Sequence, residues 1–429
     1  MSMWFPWYFL CVLFILPFFD PRRPLRPLHL DLIALVVIGL WPLAAVVRGG
    51  AVPTAALVVA VLGLIYLFGR LLWTAFRPRD RSPERLVPVV PVPWLVVVLV
   101  VLVAFRVGYV LTDPVLVIDV GEASVEGADR IADGRPLYAD PVGTEVEGGE
   151  TYGPFTYLAY VPFEQLFPLG KLSWRAARPA AVTFDLLTML GLFLLGRSVL
   201  PGREGRVFGV VLVYAWASYP YSLLVLRYSF NDALVSALIL AALLAIAYPA
   251  RRGALTALAA ATKFAPVVLA PLLATGEGER RARSILLYAV AFTTVSLVVF
   301  IPFVPDGGFS ELYDRTLGFQ ESRSGPMPLW GRAPELDWLQ MVVQAIVAGL
   351  ALLLAVVPRR RSLAQLTALG AALLIVAQLS ATNWFSNYAV WFAPAAFVGL
   401  FAAYGIEKSG GPASNRERPR SVAPGPSKS

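Results

Sequence analysis

The stretch VPWLVVVLVVLVAFRVGYVLTDPVLVIDVGEASVEGADRIADGRPLY, residues 92–138, holds the two features that decide how the chain is built. Residues 92–111 are an apolar run long enough to cross the roughly 30 Å hydrocarbon core as a helix. Directly after it, Asp119, Glu122, Glu126, Asp129 and Asp133 crowd into fifteen residues. Runs like the first recur at 4–19, 30–47, 51–72, 180–196, 207–225, 233–249, 284–304, 337–357, 363–380 and 387–405. The chain is 58% hydrophobic and 15% charged, with a mean hydropathy of +0.68. Soluble domains run near 45–50% apolar and about 25% charged. Alternating barrel patterning is absent, so only helices can satisfy so much backbone in lipid. The expectation is an all-α polytopic membrane protein with about 11 transmembrane helices.

Charge gives the orientation. The net charge of +8 over 429 residues comes from arginines in short connections: Arg22, Arg23 and Arg26; Arg70 to Arg85; Arg251 and Arg252; Arg280 to Arg283; Arg359 to Arg361. The positive-inside bias puts these on the cytoplasmic side, the N-terminus outside and the tail inside. No extended cationic groove exists for nucleic acid. The single cysteine, Cys11, excludes an internal disulfide or Cys-rich metal site. The first apolar run lacks a basic leader and a small-residue cleavage site, and reads as a retained span. Two segments are irregular. Residues 153–168 carry three prolines and Glu164 and read as a helix lying in the membrane plane. Residues 254–273, broken at Lys263 and Pro266, read as a re-entrant pair of half-helices with Lys263 towards the cytoplasmic half. The long connections 112–151 and 305–336 fall outside, and the Gly/Pro/Ser-rich tail 406–429 reads as disordered.

From Asp113 to Glu150 there are ten carboxylates against Arg130 and Arg135. A plain acidic outer loop would explain them. Yet Asp119, Glu122, Glu126 and Asp133 step by three, four and seven, which stacks them on one helical face. Ala123, Val125, Ala128, Ile131 and Ala132 give the opposite side to the membrane surface. Like charges in a row oppose one another and raise one member towards the range of a general base. Paired carboxylates would also accept a hard divalent cation, but nothing in the residues requires a metal or other cofactor.

Asp119, Ala123, Gly134 and Tyr138 resemble the first outer-loop motif of GT-C type polytopic glycosyltransferases, in particular glycosyltransferase family 87. The segments TYGPFTYLAYVPFEQLFP (151–168), SYPYSLLVLRYSFNDALVSAL (218–238) and ATKFAPVVLAPL (261–272) are similar to later parts of that family, in order, so the resemblance covers about 92–404. It implies a GT-C-like helical bundle, with 1–85 as accessory N-terminal helices and 86–405 as the catalytic module. It further implies a hexosyltransferase of the bacterial plasma membrane. Such an enzyme takes a sugar, often mannose, from a polyprenyl-phosphate donor to a lipid or glycan acceptor on the extracytoplasmic face, by inverting displacement.

On that resemblance Asp119 is the expected base, at the motif's first position just beyond a span. Asp113, before Pro114, reads as a turn cap. Substrate contacts are expected from Glu122, Glu126, Arg130, Tyr138, Tyr152, Arg227, Asn231 and Asp232. Arg227, at the outer end of a span, either meets the phosphate or snorkels to headgroups; Arg315, Arg323 and Arg332 are loop alternatives. Asp232 also reads as a helix N-cap, Asp185 as a buried interhelical contact. The outer aromatics, Tyr388 and Trp384 among them, suit an interfacial belt or sugar stacking. Family members often use a histidine near this chemistry; His29 falls on the cytoplasmic side, which leaves the leaving-group contact unassigned. The alternative is a transporter or flippase of lipid-linked sugars. That class keeps ionisable groups at the midplane in duplicated halves, and no repeat is present here.

Overall fold

The computed structural model describes residues 4–47, 51–77, 82–112, 117–138, 152–168, 174–278, 281–322, 330–383 and 386–406. The chain is helical almost throughout. It opens with α1 (Trp4–Ile15), α2 (Pro27–Val47), α3 (Thr54–Phe76) and α4 (Val92–Thr112), followed by α5 (Asp119–Ala132) and α6 (Pro154–Leu166). The middle comprises α7 (Trp174–Val199), α8 (Gly202–Ser218), α9 (Pro220–Arg227), α10 (Asp232–Leu244), α11 (Pro249–Thr262) and α12 (Ala270–Thr275). It closes with α13 (Ala282–Phe300), α14 (Gly308–Tyr313), α15 (Phe319–Ser322), α16 (Asp337–Val356), α17 (Leu363–Ser380) and α18 (Ala389–Phe401).

Among the described residues, six helices are long and apolar enough to cross a membrane alone, and up to seven if α8 and α9, bent by 60° at Tyr219, count as one. The bend follows from Pro220, which removes an amide donor and starts a new helix. The other expected spans are shorter apolar helices, among them Asp232–Leu244 and Ser386–Phe401. α17 is buried nearly all round and α13 hardly at all, so α17 runs through the protein interior while α13 faces lipid.

Contacts between distant residues order the two ends. At one end Arg332 donates to the Val52 carbonyl at the start of α3 (2.9 Å). At the other, Gln365 donates to the Ala75 carbonyl near its finish (2.7 Å). That second end collects basic groups: Arg26 on Glu84 (2.8 Å), Arg252 on the Ala274 carbonyl (3.1 Å) and Arg361 on Gly276 (2.5 Å). A short parallel pair, β1 (Ser82–Arg85) with β2 (Tyr404–Gly405), ties the α3–α4 connection to the residues after α18. The first helix packs on the last: Phe14 lies 5.7 Å from Phe397 and the 3-10 turn residue Phe18 lies 5.2 Å from Phe401, ring to ring. One hydrophobic core therefore runs from Trp7 to Ile406 and includes the three N-terminal helices.

Two expectations change, the lipid-facing side of α5 and the place of Lys263. α5 is helical and stops before Gly134, whose φ of +68° only glycine adopts freely. Its buried face, however, meets protein and not lipid. Gly121, Ala123, Ser124, Val125, Gly127 and Ala128 pack on its neighbours, with Gly127 so close to the Tyr157 ring that a Cβ would sit 2.1 Å away. Residues 153–168 give a 13-residue helix, α6, about 20 Å long and too short to cross. The segment 254–273 does form two helical arms that return to the same end, as Arg252 on Ala274 shows. Its tip at Lys263 reaches the opposite end from these arginines, beside the start of α10, and not the basic end near which it was expected.

Candidate active site

The site grows from the turn between α9 and α10. Ser229 stands at φ 56° and donates its amide to Leu226 (3.2 Å) while Phe230 reaches Val225 (3.0 Å). A left-handed non-glycine residue costs on the order of 1–2 kcal/mol and persists only where its surroundings impose it. Here Gly121 leaves room for the turn: a Cβ at that position would lie 2.8 Å from the Ser229 carbonyl. One turn on, Asn231 donates from Nδ2 to Ser124 Oγ (3.2 Å), so α5 is clamped to this turn; the buried Asn231 Oδ1 has no partner among the described residues. The next residue, Asp232, is fully buried. Its side chain makes no cap bond, contrary to the N-cap reading. Oδ1 accepts from Lys263 Nζ (2.9 Å) and Trp391 Nε1 (2.7 Å), and Oδ2 from Asn387 Nδ2 (3.3 Å). The positive end of the α10 dipole still favours the carboxylate.

Lys263 is 6% exposed. Its ammonium stands 5.1 Å from the Tyr152 ring, 5.3 Å from Tyr388 and 5.4 Å from Trp391, the last two stacked 4.3 Å apart. These four side chains form one wall of a cavity of about 450 Å³. Val267, Val268 and Leu317 add apolar surface, and Gln378 and Asn383 carry buried carbonyl oxygens with no partner among the described residues. Burial above all pushes the Tyr152 phenol well above its ordinary range, with Tyr388, Tyr157, Asp232 and Asp119 adding to it. Asp119 and Asp232 therefore share an electrostatic neighbourhood with the cavity wall.

The structure sorts the expected site residues. Asp119 is exposed at the start of α5, its Oδ1 accepting from the Val120 amide (2.8 Å), with half-buried Glu122 on the next turn. Tyr152, Asn231 and Asp232 join it. Glu126 is neutralised by Arg130 (3.1 Å), which also donates to the Leu137 carbonyl (3.3 Å). Asp133 lies past the end of α5, 3.4 Å from Arg135, so the carboxylate row is partly paired. Burial first, then Asp133 and Glu164, push the Asp129 carboxyl up against the opposing pull of Arg135. Tyr138 donates to the Tyr152 carbonyl (2.6 Å) and lines a second, polar cavity of about 640 Å³ with Arg135 and Arg315. Arg227 lies over the Tyr109 and Tyr228 rings, 5.5 Å from each, and does not line the first cavity. Arg315 pairs with Glu311 (2.8 Å). His29 accepts from the Asp20 amide (2.9 Å) at the basic end. Asp113, Arg323 and Trp384 lie outside the described residues. No group of three or more His, Cys, Asp or Glu that could hold a metal occurs among the described residues. Sequence reasoning discounted Lys263 and missed Asn387 and Trp391. The signal for the first was present, a charge inside an apolar segment.

The profile of glycosyltransferase family 87 matches residues 151–382, more than half of the chain. The chain belongs to glycosyltransferase family 87. This family 87 protein carries several helices long and apolar enough to cross a membrane. The match takes in Tyr152, Asp232 and Lys263, while Asp119 precedes it. Among solved structures, ArnT from Cupriavidus metallidurans bound to undecaprenyl phosphate is similar at 18% identity, with a TM-score of 0.45 over 73% of this chain. The chain spans 60% of the length of that protein. No curated protein matches the chain.

Proposed function

We propose that this family 87 enzyme transfers a hexose, mannose in the first instance, from a polyprenyl-phosphate donor to a lipid or glycan acceptor. The reaction runs on the extracytoplasmic face of the bacterial plasma membrane, by direct displacement with inversion, and Asp119 takes the proton of the acceptor hydroxyl. One observation carries this reading: α5, which begins at Asp119, is clamped through Ser124 and Asn231 onto the turn that leads into the cavity wall. An exposed carboxylate thereby stands near a mostly apolar chamber at the end of the bundle away from the arginine clusters. Such a chamber suits a lipid-borne sugar whose carrier stays in the membrane. General-base assistance is worth about 10²–10⁴-fold. Glu122 and Glu126 then bind sugar hydroxyls or set the charge around Asp119.

The test uses membranes carrying wild type or Asp119→Asn at equal expression, supplied with radiolabelled polyprenyl-phosphate mannose and a lipid extract. Transfer by wild type but not by the variant is expected. Equal transfer by both would remove Asp119 as the base, and transfer by neither would remove mannose as the sugar and move the search to other polyprenyl-phosphate hexoses.

A further inference from the structure

Lys263 presents chemistry that the base does not use. An ammonium has three N–H donors, and Asp232 takes one at 2.9 Å. The remaining side of Nζ faces a cavity bounded by three aromatic rings and a hydrophobic wall. The carboxylate beside it fixes where the ammonium points. Asp232 is in turn fixed by Trp391 and Asn387. The result is a cation held at the tip of a re-entrant arm, beside a space wide enough for a lipid chain.

We infer that Lys263 is the group that receives the departing phosphate, and that the cavity of about 450 Å³ holds the first isoprene units of the carrier. This rests on the polyprenyl-phosphate reading above. As the acceptor oxygen bonds to the anomeric carbon, its proton passes to Asp119. The bond from that carbon to the phosphate oxygen breaks, and its electron pair stays on the phosphate. A singly charged diester becomes a doubly charged monoester, and the ammonium donates to the oxygen on which the new charge appears. Asp232 acts through Lys263 as a positioning residue and touches no substrate.

A structural clamp for the tip would use the same ion pair, and a double variant separates the two roles. Asp232→Asn with Lys263→Met removes both charges and leaves no unpaired ion. The purified, full-length protein in lipid nanodiscs is assayed for its unfolding midpoint, for transfer from polyprenyl-phosphate mannose, and for binding of polyprenyl phosphate itself. The expected result is a folded double variant whose kcat falls on the order of 10²–10³-fold and whose carrier binding weakens at least about tenfold. Wild-type kcat and binding in the folded double variant would overturn the role of Lys263 and leave the donor reading intact. Wild type that neither transfers nor binds the carrier would overturn the donor reading itself. Should the double variant not fold, Lys263→Gln removes the charge and keeps an N–H donor for Asp232. A kcat lowered at least about tenfold at an unchanged midpoint supports the contact; wild-type kcat overturns it.

Discussion

Two ion pairs with both partners buried, among the described residues, are built from nearly the same parts. In each, an aspartate accepts from a cationic side chain and from a tryptophan indole: Asp185 from Arg106 (2.7 Å) and Trp216 (2.8 Å), Asp232 from Lys263 (2.9 Å) and Trp391 (2.7 Å). What lies on the far side of the cation differs. The Arg106 guanidinium goes on to the Ala217 carbonyl and Ser222 Oγ, both at 3.1 Å, and is sealed among α4, α7 and the α8–α9 bend. The Lys263 ammonium goes on to a cavity. A planar fork with five donors suits the first place, where every direction must be filled; a compact point charge suits the second. Saturation marks the pair that holds helices together, and an open donor marks the one available to a ligand.

Variants can break or sharpen that contrast. The largest expected effect lies at neither pair. Asp119→Asn should lower transfer by about 10²–10⁴-fold with an unchanged unfolding midpoint, because the carboxylate is exposed; a shifted midpoint would mean that α5 depends on it. Next, Arg106→Leu leaves Asp185 buried without its cation, which costs about 3–5 kcal/mol. The midpoint in detergent should drop accordingly while kcat per folded molecule holds, and a specific loss of kcat would erase the distinction between the pairs. Trp216→Phe and Trp391→Phe each remove one hydrogen bond to a carboxylate, worth about 1.5–3 kcal/mol. Their effects on stability should match, and only Trp391→Phe should alter transfer kinetics. The smallest effect is expected at Arg227, whose stacking on Tyr109 and Tyr228 is worth about 0.5–1 kcal/mol. Arg227→Ala should leave the donor KM within about twofold, and a KM raised tenfold would return this arginine to the phosphate.

The sequence disclosed the helical membrane class because apolar runs are long and local, and α5 because its charges step in register with a helix. Asp185 was legible as an interhelical contact for the same reason, a carboxylate inside a span needing a partner. Lys263 was misplaced because a linear topology says that a re-entrant segment returns but not how far it goes. The 14 residues of α11 rise about 21 Å, which carries the tip well away from the arginines at its start. Asp232 read as a helix cap because its local neighbours permit that. Its actual partners, Asn387 and Trp391, lie 155 and 159 residues away, beyond any local pattern. Arg227 drew attention as a cation at the outer end of a span, and the rings it covers are supplied by another helix and by its own neighbour.

The packing of the first helix on the last has a consequence for how the protein is made. Phe14 and Phe18 meet Phe397 and Phe401, about 380 residues later. At a translation speed of about 5–20 residues per second, the first helix waits roughly 20–80 s for its partners to leave the ribosome. During that interval its aromatic face must be held by lipid, by α2 and α3, or by the insertion machinery. Folding of this enzyme is therefore a closure that comes only with α18, and a chain cut short before it would leave the earliest helix without its seat.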